Sequence, residues 1–509
     1  MNSWRSWLLA AIVVCMAFLL RVSYYDRNYG HADETITTEV VGRMRSTGDW
    51  DTNWAKANLE PGFKYDQYNF SSHLYATFLF YRVVKLVPGL ESWRSRDGGF
   101  WVYRFFSVLL ATLVVWQTWW LARKVAGDKA GFLAGCIAAV APLLVQDAHY
   151  SRPEAWVTAL CTGAAMICIP KDDSDFRRIF FGSLLIGIAV ACKFSLVALV
   201  WLPMLPILSE GWTGHRTIKL ALGAACLVTL GTAVGFAIGA PNAIINPQVY
   251  LHGMKYLAAH YAGLHPPHSN LGGGPVSGML GGYFLSTLGI PSLIAASTGA
   301  GWLLFQRRWS EVLLLAGPLV FFVSYFCTRT VFFERNLSHV VPLFCVLAGV
   351  GLFVISDVLA LRWRGQILTL TVLLGVLSLI RPFELSWRLV HMGFSGRNSV
   401  QVEAIETRLR AAYPDMDWWS EDFMNTEPLT RLIAHFNTGG GQVILRAIDY
   451  HDEWSAKNLK MIPLLLNVEL VAEKPSIFSD VTNCTLHTYS SWTDRYYLVK
   501  GVQKTPLGN

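Results

Sequence analysis

Two adjacent acidic residues, Asp33 and Glu34, follow the first hydrophobic segment of the chain, and His31 stands just before them. A carboxylate at the edge of a membrane can take a proton from a hydroxyl group, which then attacks an electrophilic carbon. Acidic side chains are also favoured at the start of a helix, because they interact with the positive end of the helix dipole. All three residues are therefore site candidates. We expect Asp33 to be the general base, whereas Glu34 is either catalytic or a helix-start residue.

A second group of ionisable side chains lies in the short segment from Asp147 to Glu154, between two apolar stretches. This segment also contains His149 and Arg152, and Pro153 suits the first turn of the helix that should follow. A segment that only capped this helix would need one acidic residue, yet it contains two, together with a histidine and an arginine. We therefore predict that these side chains form part of a site.

A third set of residues is cationic and is predicted at or near the outer edge of the membrane, where the positive-inside rule disfavours positive charge. Each residue alone could extend its charged end towards lipid headgroups. Together they predict an anionic ligand, because Lys and Arg bind phosphate through charge-assisted hydrogen bonds. The candidate phosphate-binding residues are Lys64, Arg104, Lys193, Arg329 and Arg335.

Carboxylates and phosphate-binding cations beside a bilayer suggest transfer of a sugar from a lipid-linked phosphate donor. The lipid tail would lie in the membrane and the sugar phosphate in an outer cavity. In this scheme Asp33 deprotonates the acceptor hydroxyl, whose oxygen attacks the anomeric carbon. The leaving phosphate is neutralised by Lys64, Lys193 and Arg335. The sugar, a hexose or a pentose, stays open, as does the acceptor, which can be a protein, a glycan or a lipid.

The composition indicates the elements that must position these side chains. Of 509 residues, 53% are hydrophobic and 15% are charged, whereas a soluble protein contains about 25% charged residues. We therefore predict an all-α polytopic membrane protein with about 11–13 transmembrane helices. The net charge of +7 is spread over its loops and requires no nucleic-acid partner. The candidate segments are 4–20, 101–121, 130–146, 154–169, 179–192, 194–209, 217–239, 279–304, 311–327, 338–356 and 365–381.

The distribution of basic residues predicts the orientation of the chain in the membrane. If the N-terminus is cytoplasmic, every predicted short cytoplasmic loop is basic. The apolar stretch 71–88 is then an amphipathic helix at the interface, because a twelfth span at this point would place the basic loops outside. The first segment lacks a signal-peptide cleavage site and is expected to remain as an anchor.

Three regions are expected on the outer face, namely the loops 21–100 and 240–278 and the tail 382–509. Residues 1–381 are predicted to form the transmembrane catalytic domain. The tail combines helix-like and strand-like runs and is long enough for a small extracytoplasmic α/β domain. In a bacterium the chain would lie in the inner membrane with its tail in the periplasm, and in a eukaryote it would lie in the endoplasmic reticulum membrane.

The possible metal ligands of the chain are few. His31, Asp33 and Glu34 are too few for a closed site, so no metal or other cofactor is predicted. The histidines of the middle loop, His260, His265 and His268, lack helical spacing and accompanying cysteines, and we expect this loop to form a lid over the cavity.

A series of motifs occurs in one order along roughly residues 1–380: Asp33-Glu34, Tyr103–Ser107, His149–Glu154, Gly187–Lys193 and Phe333–Leu337. This series resembles the GT-C superfamily of polytopic glycosyltransferases, in particular its protein O-mannosyltransferase and lipid A aminoarabinose-transferase branch. The chain departs from the family pattern at Asn336, where the family usually has Tyr.

The resemblance implies that Asp33 is the catalytic base and Glu154 the second acidic residue of the site. It also implies a polyprenyl-phosphate or dolichyl-phosphate sugar donor, inversion at the anomeric carbon and no need for a metal. In this resemblance Lys64, Lys193 and Arg335 correspond to positions that contact the phosphate.

The alternative function is a transporter or flippase for a lipid-linked or small polar substrate. Such proteins place ionisable residues near the bilayer midplane, often in broken helices of two related halves. In this chain the charges lie at loop edges and no inverted repeat is visible, which favours the enzyme. Lys193 is the one feature that favours transport.

Overall fold

The structure is a computed structural model that describes residues 3–27, 31, 33–61, 63–169, 176–205, 215–263, 277–331, 333–362, 367–423, 426–449, 453–478 and 492–503. The chain divides into two compact units. The first unit comprises Met1–Ala259, Leu288–Tyr325 and Glu334–Ser386, and the second comprises His260–Thr287, Phe326–Phe333 and Trp387–Asn509.

Helices dominate the chain before its tail, because long runs of Leu, Val, Ala and Phe can satisfy their backbone hydrogen bonds within one segment, as lipid requires. The α-helices are α1 (Ser3–Val22), α2 (Glu34–Thr47), α3 (Ser71–Lys85), α4 (Glu91–Ser95), α5 (Phe100–Ala126), α6 (Asp128–Val140), α7 (Pro142–Ala148), α8 (Pro153–Cys168), α9 (Phe176–Val190), α10 (His215–Gly239), α11 (Pro241–Ile245), α12 (Pro247–Ala262), α13 (Gly289–Phe305), α14 (Trp309–Cys327), α15 (Val341–Arg362) and α16 (Ile367–Arg388). Short 3-10 helices lie at Trp54–Lys56, Arg96–Gly99, Phe194–Leu199, Leu202–Met204 and Glu334–Val340, and π-helices at Ser277–Leu288 and Leu389–Phe394.

By length and composition, six helices within the described ranges can cross a membrane, and seven if the bent pair α6–α7 counts as one span. This number is lower than the eleven segments predicted. Helices α8 and α9 contain only 16 and 15 residues, fewer than the roughly 20 that usually span a bilayer. The predicted segment 194–209 is not one helix, because its described part forms two short 3-10 helices.

Glycines allow the long helices of the first unit to pack closely. Helix α9 packs against α10, and α13 packs against α15. A Cβ atom added at Gly187 of α9 would lie 2.2 Å from the carbonyl oxygen of Thr232. At Gly351 of α15 it would lie 1.7 Å from the carbonyl oxygen of Ala295. Small residues of this kind bring helix backbones together in membrane proteins.

Helices α6 and α7 are bent by 58° relative to each other at Ala141 and Pro142. Pro142 has no N–H, so the carbonyl group of Ala138 loses its helical donor. Arg21, fully buried at the end of α1, supplies the missing donors. Its guanidinium donates to the carbonyl oxygens of Ala138 at 3.1 Å and of Ala139 at 2.8 Å. This contact lets the helix bend just before Asp147.

Helices α2 and α3 build a small core over the start of α5. Ile36, Val40 and Met44 of α2 are buried in one cluster with Leu74 and Phe78 of α3. The opposite face of α3 leaves Leu79 and Val83 exposed. The helix therefore has the two-faced character predicted for the stretch 71–88, and its position at the membrane interface stays a prediction.

The tail forms an α/β fold within the second unit. Its elements are α17 (Arg397–Ala412), β1 (Asp417–Asp422), α18 (Glu427–Asn437), β2 (Val443–Asp449), α19 (Glu453–Leu465), β3 (Leu466–Lys474) and β4 (Thr493–Val502). The strands form one sheet in the order β1-β2-β4-β3, in which β1 and β2 are parallel and the other two pairs antiparallel. Leu429 and Leu432 of α18 share a buried core with Val443, Leu445 and Val499 of the sheet. The predicted fold class, a helical membrane protein with a small C-terminal α/β region, is confirmed.

Candidate functional site

Asp33 lies immediately before α2 and forms an ion pair with Arg335. Its Oδ2 atom is 3.0 Å from Nη2 of Arg335 and 3.7 Å from Nδ1 of His31. The side chains of Asp33 and Arg335 are 19% and 20% exposed, so a ligand can reach both. Asp33 makes no capping hydrogen bond to α2. Its geometry therefore does not support the helix-cap alternative for this residue.

Glu34, the neighbour of Asp33, is buried and accepts four hydrogen bonds. Its Oε1 atom accepts from Nε of Arg104 at 2.9 Å and from the backbone N–H of Ser151 at 2.6 Å. Its Oε2 atom accepts from Nη2 of Arg104 and from the backbone N–H of His31, both at 2.7 Å. One carboxylate thus joins α2, α5 and the segment between α7 and α8.

Arg104, predicted as a phosphate ligand, is fully buried on α5. Besides its two-pronged contact with Glu34, it donates to the backbone carbonyl of Tyr25 at 3.1 Å and lies 4.3 Å over the ring of Phe100. A phosphate group would have to displace Glu34 to reach this guanidinium. The geometry therefore favours a positioning role for Arg104.

Glu154 lies at the first turn of α8, where it is buried between two cations. Lys193 donates from Nζ to Oε1 of Glu154 at 2.7 Å, and Nε of Arg152 is 3.6 Å from Oε2. Lys193 has an extended backbone just after α9, which directs it out of the helical path. Its side chain is 15% exposed, whereas that of Glu154 is 3% exposed.

Arg152 lies at the centre of the acidic residues. It is buried, and its Nη2 atom is 3.6 Å from Oδ1 of Asp147, which is also buried. Burial by itself lowers the pKa of Arg152, but the negative charges of Glu154, Asp147 and Asp33 outweigh it and raise the pKa above its usual value. The charge of Asp33 therefore acts on the same guanidinium as the other two carboxylates.

His149 is a buried link between α1 and α7 rather than an exposed acid or base. One ring nitrogen contacts the backbone carbonyl of Val145 at 2.8 Å and the other that of Ser23 at 3.0 Å. Burial lowers the pKa of His149 to about 4, against the opposing effect of these two carbonyls.

The two remaining predicted phosphate ligands are Lys64 and Arg329. Lys64 is exposed in the first loop, and within the ranges that the structure describes no ion pair joins it to the acidic residues. Arg329 belongs to the second unit. His260 is also in the second unit, whereas His265 and His268 lie outside the described residues.

His73 of α3 was not among the predicted site residues. It is buried, its Nε2 atom lies 3.3 Å from Oγ1 of Thr37, and Thr37 in turn donates to the carbonyl of Ser151 at 2.8 Å. Burial lowers the pKa of His73 to about 4, although the charge of Glu154 acts in the opposite direction. The only sequence signal was a histidine in an otherwise apolar helical stretch.

The structure thus assembles eight charged residues of the first unit into what we call the charged network. Its four carboxylates and four cations are Asp33, Glu34, Asp147, Glu154, Arg104, Arg152, Lys193 and Arg335. Opposite charges are paired throughout, and the partly exposed members are Asp33, Arg335 and Lys193. In the described part of the chain, no group of three or more His, Cys, Asp or Glu residues is placed to hold a metal ion.

No protein-family profile and no curated protein sequence matches the chain. Among solved structures, ArnT from Cupriavidus metallidurans in the apo state is similar, with 15% identity, a TM-score of 0.50, and coverage of 96% of this chain and 97% of that one. The oligosaccharyltransferase of Archaeoglobus fulgidus in the apo form has 12% identity and a TM-score of 0.50, over 76% of this chain and 56% of that one.

The same archaeal enzyme, AglB, in complex with an inhibitory peptide and a dolichol-phosphate, is also similar, with 13% identity and a TM-score of 0.50 over the same shares of both chains. The present chain therefore spans just over half of the length of the archaeal enzyme and nearly all of ArnT. The chain therefore has the fold of ArnT and of the archaeal oligosaccharyltransferase, in agreement with the resemblance that the motif series predicted.

Proposed function

We propose that the chain is an integral-membrane glycosyltransferase that transfers a sugar from a polyprenyl-phosphate donor to an acceptor hydroxyl, with Asp33 as the general base. The observation that carries the proposal is the partly exposed pair of Asp33 and Arg335, 3.0 Å apart. It offers a base and a phosphate-binding cation at one place. The GT-C fold supports the proposal, as does the dolichol-phosphate in the complex of the archaeal enzyme.

In the proposed reaction, Asp33 accepts the proton of the acceptor hydroxyl, and the hydroxyl oxygen forms a bond to the anomeric carbon. The bond between this carbon and the phosphate oxygen breaks, and its electron pair leaves with the lipid phosphate. Arg335 and Lys193 stabilise the negative charge that develops on the leaving group. Attack from the face opposite the phosphate inverts the anomeric centre, as the family resemblance implies.

The buried part of the charged network holds these groups in position. Glu154 orients Lys193 through the 2.7 Å contact, and Arg152 compensates the charge of Glu154 together with that of Asp147. Glu34 and Arg104 fix the backbone next to Asp33, because Glu34 binds the N–H of His31.

The acceptor and the cellular location are part of the same proposal. We expect the middle loop 240–278 and the α/β tail, residues 382–509, to contribute to acceptor choice, and the catalytic region to comprise residues 1–381. In a bacterium the site would face the periplasm. The roles of Lys64 and Arg329 in phosphate binding, and the lid role of the loop 240–278, also stay predictions.

The test is a transfer assay with the purified full-length protein in nanodiscs and a panel of undecaprenyl-phosphate hexoses and pentoses. Asp33→Asn should lower the transfer rate about 10²–10⁴-fold, the contribution of a positioned general base. Glu311→Gln makes the same carboxylate-to-amide change in the ion pair with Arg308, which belongs neither to the charged network nor to the tail, and should transfer at the native rate.

Two results would contradict this proposal, the first its assignment of the base and the second the transferase itself. One is undiminished transfer by folded Asp33→Asn protein, which would remove Asp33 as the base. The other is movement of the intact lipid-linked sugar across the bilayer of a proteoliposome without any transfer, which would establish the transporter alternative.

A further inference from the structure

The cations of the charged network are already paired with carboxylates. Arg104 pairs with Glu34, Lys193 with Glu154, and Arg335 with Asp33. A donor phosphate therefore cannot enter as a partner for an idle cation of this network. It has to compete with a carboxylate for one of these cations. The carboxylate that loses its cation in this competition is the group whose environment changes when the donor binds.

Exposure distinguishes the pairs. The side chains of Arg104 and Arg152 are 0% and 1% exposed, so both are closed to a ligand, whereas Lys193 is 15% and Arg335 is 20% exposed. Of the carboxylates that hold the two open cations, Glu154 is 3% exposed and Asp33 is 19% exposed. The Asp33–Arg335 pair is thus the one whose two members are both open.

The second difference lies in what each carboxylate retains after an exchange. If Lys193 turned towards a phosphate, Glu154 would keep Arg152, 3.6 Å away. If Arg335 turned towards a phosphate, Asp33 would lose its 3.0 Å ion pair. Nδ1 of His31, 3.7 Å from the carboxylate, accepts the backbone N–H of Asp33 and has no proton to donate to that carboxylate. A guanidinium binds the oxygens of a carboxylate and of a phosphate with the same fork of N–H groups, so this exchange needs no new kind of contact.

We propose that the lipid-linked phosphate takes Arg335 from Asp33 when the donor binds, and that this exchange releases Asp33 to act as the base. The proposal rests on the proposed function and adds an order of events to it. In the structure Oδ2 of Asp33 pairs with Arg335. After donor binding the same oxygen is available to the acceptor hydroxyl, so a hydroxyl group or water is activated only beside a bound donor.

The exchange makes a distinctive prediction for equilibrium binding, because Asp33 is then a competitor of the phosphate. We expect Asp33→Asn to bind undecaprenyl phosphate about tenfold more tightly than the native protein. This is the gain in affinity expected when the phosphate no longer has to break one charge-assisted hydrogen bond between Asp33 and Arg335. Arg335→Gln should bind more weakly, and Arg335→Lys, which keeps the charge, should lie between the two. In the double variant Asp33→Asn/Arg335→Gln the tenfold gain should disappear.

The experiment measures binding of undecaprenyl phosphate to full-length protein in nanodiscs, and a thermal unfolding curve for each variant establishes that it is folded. Undecaprenol, which lacks the phosphate, should show no gain with Asp33→Asn. Inorganic phosphate should show the same dependence on Asp33 and Arg335 at lower affinity. Arg431→Gln, a matched change in the second unit, should bind like the native protein.

Two results would overturn the exchange while leaving the proposed function intact. One is unchanged or weaker binding of undecaprenyl phosphate by Asp33→Asn. The other is a gain that persists in the Arg335→Gln background, because simple charge repulsion by Asp33 would then explain it. A native protein that does not bind undecaprenyl phosphate at all would overturn both the exchange and the proposed function.

Discussion

Replacing Glu34 by Gln tests whether this buried carboxylate positions the site or takes part in the chemistry. The carboxylate accepts four hydrogen bonds of 2.6–2.9 Å, two from Arg104 and one each from the backbone N–H groups of His31 and Ser151. Gln has nearly the same shape, but its amide has one acceptor oxygen and no charge. The guanidinium of Arg104 is then left buried without its counterion.

The expected cost follows from the burial of the pair. Removing one member of a buried ion pair destabilises a protein by about 3–5 kcal/mol, and the two side chains here are 1% and 0% exposed. We expect Glu34→Gln and Arg104→Gln each to fall in this range. The double variant Glu34→Gln/Arg104→Gln carries no stranded charge, so it should be more stable than the sum of the single changes by about 2 kcal/mol.

The free energy of unfolding can be followed by tryptophan fluorescence while a denaturing detergent is titrated into mixed micelles. The transfer rate of the folded fraction is measured in parallel. Unchanged stability of Glu34→Gln, combined with a loss of transfer as large as that expected for Asp33→Asn, would refute the positioning role and assign Glu34 to the chemistry. Additive effects of the two single changes would show that the pair does not act as a unit.

Two further predictions concern the stability of the first unit. The pKa of His149 is about 4 in the folded chain against 6.5 for the free side chain. The neutral buried ring therefore contributes its full stabilising effect above pH 6.5, and about 3 kcal/mol is lost as the pH falls towards 4, because the unfolded chain takes up the proton first. The free energy of unfolding, measured against pH over this range, should have a smaller slope in His149→Asn, and equal slopes would contradict the assignment. Gly351→Ala places a Cβ atom 1.7 Å from the carbonyl oxygen of Ala295. It should lower the free energy of unfolding by about 1–3 kcal/mol, because α13 and α15 must move apart. In the control, Gly301→Ala, the added Cβ atom meets nothing within 4 Å, and the free energy of unfolding should not fall in this way.

The sequence indicated the segments whose charged side chains the structure brings together, but it did not reveal how the charges pair. Asp33 and Glu34 are neighbours in the chain, and a capping role was open for both. The difference between them comes from Arg104, which lies 70 positions after Glu34 and forms its ion pair with Glu34, whereas Asp33 pairs with Arg335. Lys193 likewise reaches back 39 positions to Glu154. Such contacts depend on how helices pack, and neither the local spacing nor the residue types encode them.

Hydropathy identified where helices form more reliably than how far they extend. Apolar runs predicted α1, α5 and α10 because each is continuous, whereas α8 and α9 are equally apolar but shorter than a usual span. The α/β character of the tail was visible because strand-like runs alternate with a turn. His73 could not be predicted, since its burial beside Thr37 follows from the packing of α3 against α2.

Arg21 has a consequence for how the protein is assembled. The bend between α6 and α7 is completed by a side chain that lies 118 residues earlier in the chain, so Pro142 alone does not determine the bent form. Arg21, at the end of α1, is a buried cation that needs hydrogen-bond acceptors. The carbonyl groups of Ala138 and Ala139 in α6 supply these acceptors. Because polar groups without hydrogen-bond partners are unfavourable in lipid, the contact stabilises both the guanidinium and the two carbonyl groups. The bend that leads to Asp147 therefore depends on the packing of α1 against α6 and α7.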